Sequence, residues 1–220
     1  MCPGAVALLE SCPMLRLLLV RHARTTWNAE GRVQGGGALD ELGRAQALAL
    51  AERLRGEPID GIYASNTLRA RQTAMAVARV HGAKVRQRHL LRDLDYGALS
   101  GAFLADFQRE SPGLIEQWRD HPETVHFKGG ESLADLRRRI SRFITELYAH
   151  HPSGTVLAST HDSPVRVAAS LALGLDDSHH NRPDLITSNA SINIFEIAGG
   201  EITLRVHNDI DHLKGISDGR

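Results

Sequence analysis

Leu17-Leu18-Leu19-Val20-Arg21-His22-Ala23-Arg24-Thr25-Thr26-Trp27-Asn28 decides the reading of this 220-residue chain. Four apolar residues in a row, without alternation, describe a strand buried on both faces, as in parallel sheets. A polar loop ending in Trp27 and Asn28 follows. Ligands of open α/β sheets bind beyond the carboxyl ends of such strands. Arg21 and His22 stand at that exit, a fixed cation beside an imidazole able to act as nucleophile or base.

A second exit lies far downstream, where the strand Thr155-Val156-Leu157-Ala158-Ser159-Thr160 runs into His161. Two histidines at two strand ends imply one shared pocket. A third strand, Ile62-Tyr63-Ala64-Ser65, precedes a helix opening at Asn66-Thr67-Leu68-Arg69. Helix N-termini attract anions through free N–H groups and the macrodipole. Arg69 in the first turn adds a guanidinium fork suited to phosphate oxygens. These residues together describe an anion site.

The intervening segments alternate helix and strand, which predicts a parallel sheet covered on both faces. Strands are expected over 15–20, 59–64, 84–88 and 155–160, with a final hairpin over 191–197 and 201–207 around Gly199-Gly200. Asp40 is placed as the N-cap of a helix reaching Arg55, with Leu42, Ala45, Ala49 and Leu54 as its apolar stripe. A second helix is expected over 67–81. Ser132 is placed as the cap of a long helix carrying Leu133, Leu136, Ile140, Phe143, Ile144 and Leu147 at helical spacing. Another helix is expected over 164–173. A polar insertion with two short helices occupies about 99–131.

Composition narrows the function. Lysines plus arginines equal aspartates plus glutamates, so the formal net charge is zero. No global basic surface for nucleic acid or membrane is indicated. The two cysteines, Cys2 and Cys12, lie ahead of the first strand, which fits a reducing, cytoplasmic setting rather than a disulfide scaffold. Residues 1–13 carry no basic n-region, are expected to be irregular, and leave Met14 as an alternative start. Residues 14–214 are read as one domain and 215–220 as a tail.

Five ordered motifs carry a resemblance. Arg21 to Asn28 match Arg-His-Gly-x-Thr-x-x-Asn, with Ala23 in place of Gly. Ser65 to Ala74 match Ser-x-x-x-Arg-Ala-x-Gln-Thr-Ala, with Asn66 where Pro is usual. Gly129-Gly130-Glu131-Ser132, Thr160-His161-Asp162-Ser163-Pro164 and Asn189-Ala190-Ser191-Ile192-Asn193 follow in order. The tail Asn208-Asp209-Ile210-Asp211-His212-Leu213 is also similar. On these residues the chain resembles the histidine phosphatase superfamily, in its phosphoglycerate mutase-like branch, over about 15–214.

The resemblance implies a three-layer α/β/α sandwich with a mainly parallel central sheet and the 99–131 insertion as a lid over the strand ends. It makes His22 the nucleophile that forms a phosphohistidine. It makes Arg21, Arg69, His161 and Asn28 the phosphoryl cradle, and Thr25, Gln34 and Tyr96 substrate contacts. It requires neither metal nor cofactor. The proton donor of the mutase-like branch falls on Asp93, one methylene shorter than the usual Glu. Asp162, directly after the second His, is the donor position of the acid-phosphatase and phytase branch; the alternative reading of Asp162 is a helix N-cap. Asp95 is a third candidate. The pairs His150-His151 and His179-His180 are read as solvated or capping groups. The run Arg137-Arg138-Arg139 is read as a mostly solvated face, one member of which could brace Glu131.

Three functions remain open at this level: a phosphomonoester hydrolase acting on a small phosphorylated metabolite, a phosphoglycerate mutase, and a non-catalytic phosphate-binding module. Mutases carry basic groups near positions that are Leu94, Asp95 and Leu104 here, and Asp120 follows Trp118-Arg119 where a second Arg is usual. Hydrolysis is favoured for that reason. The expected partner is a small metabolite, with self-association as a homodimer left open.

Overall fold

The protein is described by a computed structural model that covers residues 13–33 and 36–216. In chain order it forms β1 (Leu15–Arg21), α1 (Thr26–Glu30), α2 (Glu41–Arg53), β2 (Gly61–Ala64), α3 (Leu68–Val80) and β3 (Val85–Gln87). There follow α4 (Leu104–Glu110), α5 (Pro112–Asp120), α6 (Leu133–His150), β4 (Gly154–Thr160), α7 (Asp162–Ala172), β5 (Ile192–Ala198) and β6 (Glu201–Asp209).

The apolar run of β1 is explained by two cores. Leu15, Leu17 and Leu19 pack with α6 and α7, while Leu18 and Val20 pack with α2 and α3. Successive strand residues point to opposite faces, so burial on both sides requires an unbroken apolar string. The sheet order is β3-β2-β4-β1-β5-β6. The first four strands pair in parallel, and β5 and β6 close the edge as an antiparallel hairpin. This is the three-layer, mainly parallel architecture expected.

Local signals explain most element ends. Ser132 caps α6 through a capping box with Asp135. Leu133, Leu136, Ile140, Phe143 and Leu147 are buried, whereas Ile144 is only half-buried against the core. Asp40 caps α2 by accepting from the Gly43 N–H at 2.7 Å. The apolar stripe of α2 differs from expectation. Leu42, Ala45 and Ala49 are half-buried, and the buried face is Gly43, Gln46, Ala47, Leu50 and Ala51. Gln46 turns inward because its Oε1 accepts from the Arg24 N–H at 3.0 Å, and a polar residue on the core face hid the stripe.

Central strands bring the sequence motifs together. Arg21 pairs with Thr160 across β1 and β4, and the His22 N–H donates to the Thr160 carbonyl at 2.8 Å. Ala64 pairs with Ser159, so Ser65 leaves the sheet beside them. Among the described residues no helix is long and apolar enough to cross a membrane. The expected irregularity of residues 1–13 lies almost wholly outside the described residues.

Candidate active site

His22 and His161 emerge one residue beyond the paired ends of β1 and β4, and their ring centroids lie 5.1 Å apart. Arg69, on the second residue of α3, joins them. Its Nε donates to His22 Nε2 at 3.1 Å and its Nη2 to His161 Nδ1 at 3.0 Å. Both imidazoles and Arg69 are buried. Arginine only donates, so each ring presents a bare nitrogen to it. The other His22 nitrogen, Nδ1, donates to the Ala23 carbonyl at 2.8 Å. The other His161 nitrogen, Nε2, donates to Ser65 Oγ at 3.1 Å. Burial, then Arg69, hold both histidines well below the usual imidazole pKa, so both are neutral.

Arg21 flanks this pair. It donates to the Thr187 carbonyl and lies 3.7 Å from Asp162. Its buried Nε has no hydrogen-bond partner among the described residues. An unmade bond from a buried cation marks a place for an acceptor. Arg21, His22 and Arg69 line a cavity of about 190 Å³, whereas His161 is fully buried and is not part of its lining.

The two candidate acids differ in surroundings. Asp93 Oδ2 lies 3.8 Å from both Arg69 Nη2 and His161 Nδ1, and its side chain is 12% exposed. Burial pushes its pKa up to about 6, against the pull of Arg69 and with help from Asp162. Asp162 is buried too, which by itself raises its pKa, but Arg21, Arg166 and Thr187 outweigh this and hold it below the usual carboxylate value. Arg166 approaches it at 2.5 Å, and Thr187 donates to it through N–H and Oγ1 at 3.0 and 2.8 Å. Asp162 is not an N-cap. It is the first residue of α7, and His161 occupies the cap position. Asp95 accepts from the Gly97 N–H at 2.9 Å and shapes a turn outside the cavity lining.

Thr25, Asn28 and Tyr96 line the cavity. Asn28 Oδ1 accepts from the Thr25 N–H at 3.1 Å, which fixes the orientation of the amide. Burial raises the Tyr96 pKa, with Asp93 adding to it, so the phenol stays protonated. Gln34 lies outside the described residues. The sequence reading missed Trp27, Arg32 and Ser163 as lining groups and Ser65 as the partner of His161.

Several readings need correction. His180 is the C-cap of the single turn 177–179, as expected, but it is not solvated. It is buried against Trp118, with ring centroids 5.6 Å apart, and burial drops its pKa to about 3. His151 is the C-cap of α6, as expected, and its ring also bonds the Tyr63 hydroxyl at 2.9 Å. Within the run Arg137-Arg138-Arg139 only Arg138 is broadly solvated; Arg137 pairs with Asp177, and Arg139 braces Glu131 as expected, each at 2.6 Å. Among the described residues no three His, Cys, Asp or Glu converge as metal ligands.

Comparison with known proteins agrees with this geometry. The chain is 35% identical over 165 residues to phosphoserine phosphatase 1 of Hydrogenobacter thermophilus, covering 74% of this chain and 78% of that protein. It is 30% identical to a probable phosphoglycerate mutase GpmB of Erwinia tasmaniensis, over 91% of this chain and 96% of that one. The solved structure of Bacillus stearothermophilus YhfR superposes with a TM-score of 0.86 at 27% identity, covering 90% of this chain and 99% of that chain. The model of the histidine phosphatase superfamily, branch 1, matches residues 17–210. The chain therefore belongs to the histidine phosphatase superfamily.

Proposed function

We propose that the protein is a metal-independent phosphomonoester hydrolase that works through a phosphohistidine on His22. The observation that carries this reading is the single tautomer of His22. Its Nδ1–H is committed to the Ala23 carbonyl, so Nε2 is the basic nitrogen, and it faces Arg69 in the cavity. Nε2 attacks phosphorus, the bond from phosphorus to the ester oxygen breaks, and Asp93 protonates the departing alkoxide. Arg69 then donates to the phosphoryl oxygens instead of Nε2. The unpartnered Arg21 Nε completes the cradle, Asn28 adds a neutral donor, and His161 holds Arg69 in place through Nδ1. In the second half, ionised Asp93 takes a proton from water, the oxygen of that water bonds to phosphorus, and phosphate leaves with His22 restored.

Asp93 is the donor in this scheme because it is the acid whose pKa is raised. Asp162, held ionised by two arginines, orients Arg21. The 99–131 segment acts as a lid within a single domain over 14–214, and Thr25, Tyr96 and Gln34 meet the rest of the substrate. The name of the Hydrogenobacter relative makes phosphoserine the first ester to test. The cysteine usage favours a cytoplasmic setting; light scattering decides whether the chain is a monomer or a homodimer.

The GpmB relative supports mutase action as the second reading. A panel of phosphomonoesters assayed with and without EDTA, beside a mutase assay on 3-phosphoglycerate with its bisphosphate primer, separates the two. Release of phosphate insensitive to EDTA, with an acid-labile, base-stable phosphoryl group trapped on His22, supports the hydrolase. Primer-dependent exchange without phosphate release overturns it.

A further inference from the structure

Arg139 uses its whole hydrogen-bonding capacity on one stretch of backbone and one carboxylate. Its Nη1 donates to the carbonyls of Leu90 and Arg92 at 2.8 and 2.6 Å. Its Nη2 donates to the Asp93 carbonyl at 3.0 Å and to Glu131 Oε2 at 2.6 Å, and its Nε to Glu131 Oε1 at 3.0 Å. A guanidinium has five N–H donors, and all five are used. The side chain is only 11% exposed, on a long helix packed into the core.

Glu131 continues the clasp. Its Oε2 also accepts from the Asp95 N–H at 3.1 Å, and its own N–H donates to the Asp95 carbonyl at 2.8 Å. The neighbouring turn is equally close: a Cβ on Gly130 would sit 2.2 Å from the Asp95 carbonyl oxygen. The backbone from which Asp93 projects is thus held on one side by α6 and on the other by the last residue of the 99–131 segment.

We propose that Arg139, together with Glu131, is a positioning residue pair for the proton donor, fixing the Asp93 carboxylate against Arg69 and His161 and tying its placement to the 99–131 segment. This rests on the reading of Asp93 as donor. Arg139 touches no reacting atom. It acts through three carbonyls in a turn that supplies few of its own backbone bonds, so loss of the guanidinium frees the turn while the sheet, His22 and Arg69 stay in place. Arginine is required because an ammonium cannot reach a carboxylate fork and three carbonyls at once.

The test uses the full chain, an alkyl phosphate and p-nitrophenyl phosphate. A nitrophenolate leaves with little help from an acid and an alkoxide does not. Arg139→Met should lower kcat on the alkyl ester by about 10²-fold, the scale of a 1 Å misplacement, with at most a few-fold loss on the nitrophenyl ester. Arg139→Lys should not restore the alkyl rate. The alkaline limb of the alkyl profile, set by Asp93 among Arg69, Arg21, His161, Tyr96 and Asp162, should move to lower pH as the carboxyl becomes wetter. In an Asp93→Asn background Arg139→Met should cost little more. If Arg139→Met does not fold, Arg139→Lys and Glu131→Gln carry the same comparison. Equal losses on both esters, or full activity of Arg139→Lys, overturn the positioning role. A selective loss in Asp93→Asn without one in the Arg139 and Glu131 variants removes this inference alone; no selective loss in Asp93→Asn removes the donor reading and this inference with it.

Discussion

Arg69 Nε donates to His22 Nε2 at 3.1 Å, and the bond leaves that imidazole only one arrangement of its proton. The Ala23 carbonyl demands the hydrogen on Nδ1 at the same time. When Nε2 takes a phosphoryl group, the ring becomes cationic and the same Nδ1–H meets the carbonyl more strongly. In the proposed mechanism the nucleophile is thus oriented before substrate arrives, and the transferred group finds Arg69 already in place.

His22→Ala should abolish hydrolysis while binding of inorganic phosphate survives with a several-fold weaker Kd, because Arg21 and Arg69 remain. Calorimetric titration of the variant and a phosphate-release assay check this. Wild-type turnover in the variant would exclude a covalent histidine intermediate.

Asp93→Asn should lower kcat on alkyl phosphates by about 10²–10⁴-fold, the usual share of a general acid, and on p-nitrophenyl phosphate far less. Asp162→Asn should show a similar, moderate loss on both esters, since it perturbs Arg21. The reverse pattern, with leaving-group dependence at Asp162, would move the acid to that position.

Hydrolysis of alkyl phosphates should have an acid-shifted optimum, falling as pH rises through about 6, where Asp93 loses its proton. His22 stays neutral across that window because its pKa is lowered. The same carboxyl links stability to pH. Its folded pKa exceeds the unfolded value, so the folded state binds more protons between the two, and stability falls as pH rises from 3.8 through about 6. The ionised form costs about 3 kcal/mol. Asp93→Asn should therefore raise Tm at about pH 8 and leave it nearly unchanged at about pH 4, read by calorimetry across that range.

Gly43→Ala should destabilise the fold by at least about 2 kcal/mol, as overpacking does. Its Cβ would lie 1.9 Å from the Arg24 carbonyl oxygen, on the loop that follows His22. Urea unfolding measures the loss, and kcat should fall with it because that loop carries Thr25 and leads directly into Asn28 on α1. A variant with wild-type stability would mean the loop yields easily.

Much of this molecule is written in residue patterns. The continuous run 17–20 announces two-face burial, Ser132 with Asp135 announces the start of α6, and Gly199-Gly200 announces the last hairpin. What escapes reading are contacts between a side chain and distant backbone. Arg139 binds carbonyls 46 to 49 positions away, and any residue supplies a carbonyl, so no residue type betrays the partner. Gln46 misleads for the same reason, since its inward turn answers the Arg24 N–H. Asp93 and Asp162 look alike as strand-exit or loop acids. Only the company of Arg166 and Thr187 around one of them separates their protonation.

The pairing of Arg21 with Thr160 has a consequence for how such a protein can change. The two imidazoles stand at neighbouring strands, so their 5.1 Å separation follows the roughly 4.8 Å pitch between strands. In the proposed mechanism the sheet serves as a ruler for phosphoryl transfer, and surface substitution does not stretch it. A one-residue deletion within 15–21 would turn His22 to the opposite face and end the chemistry at once. The segments that meet the remainder of the ester hang beyond the ruler's edge. Descendants of this chain are free to trade one alcohol for another there, while the step that breaks the phosphorus–oxygen bond stays calibrated by the backbone.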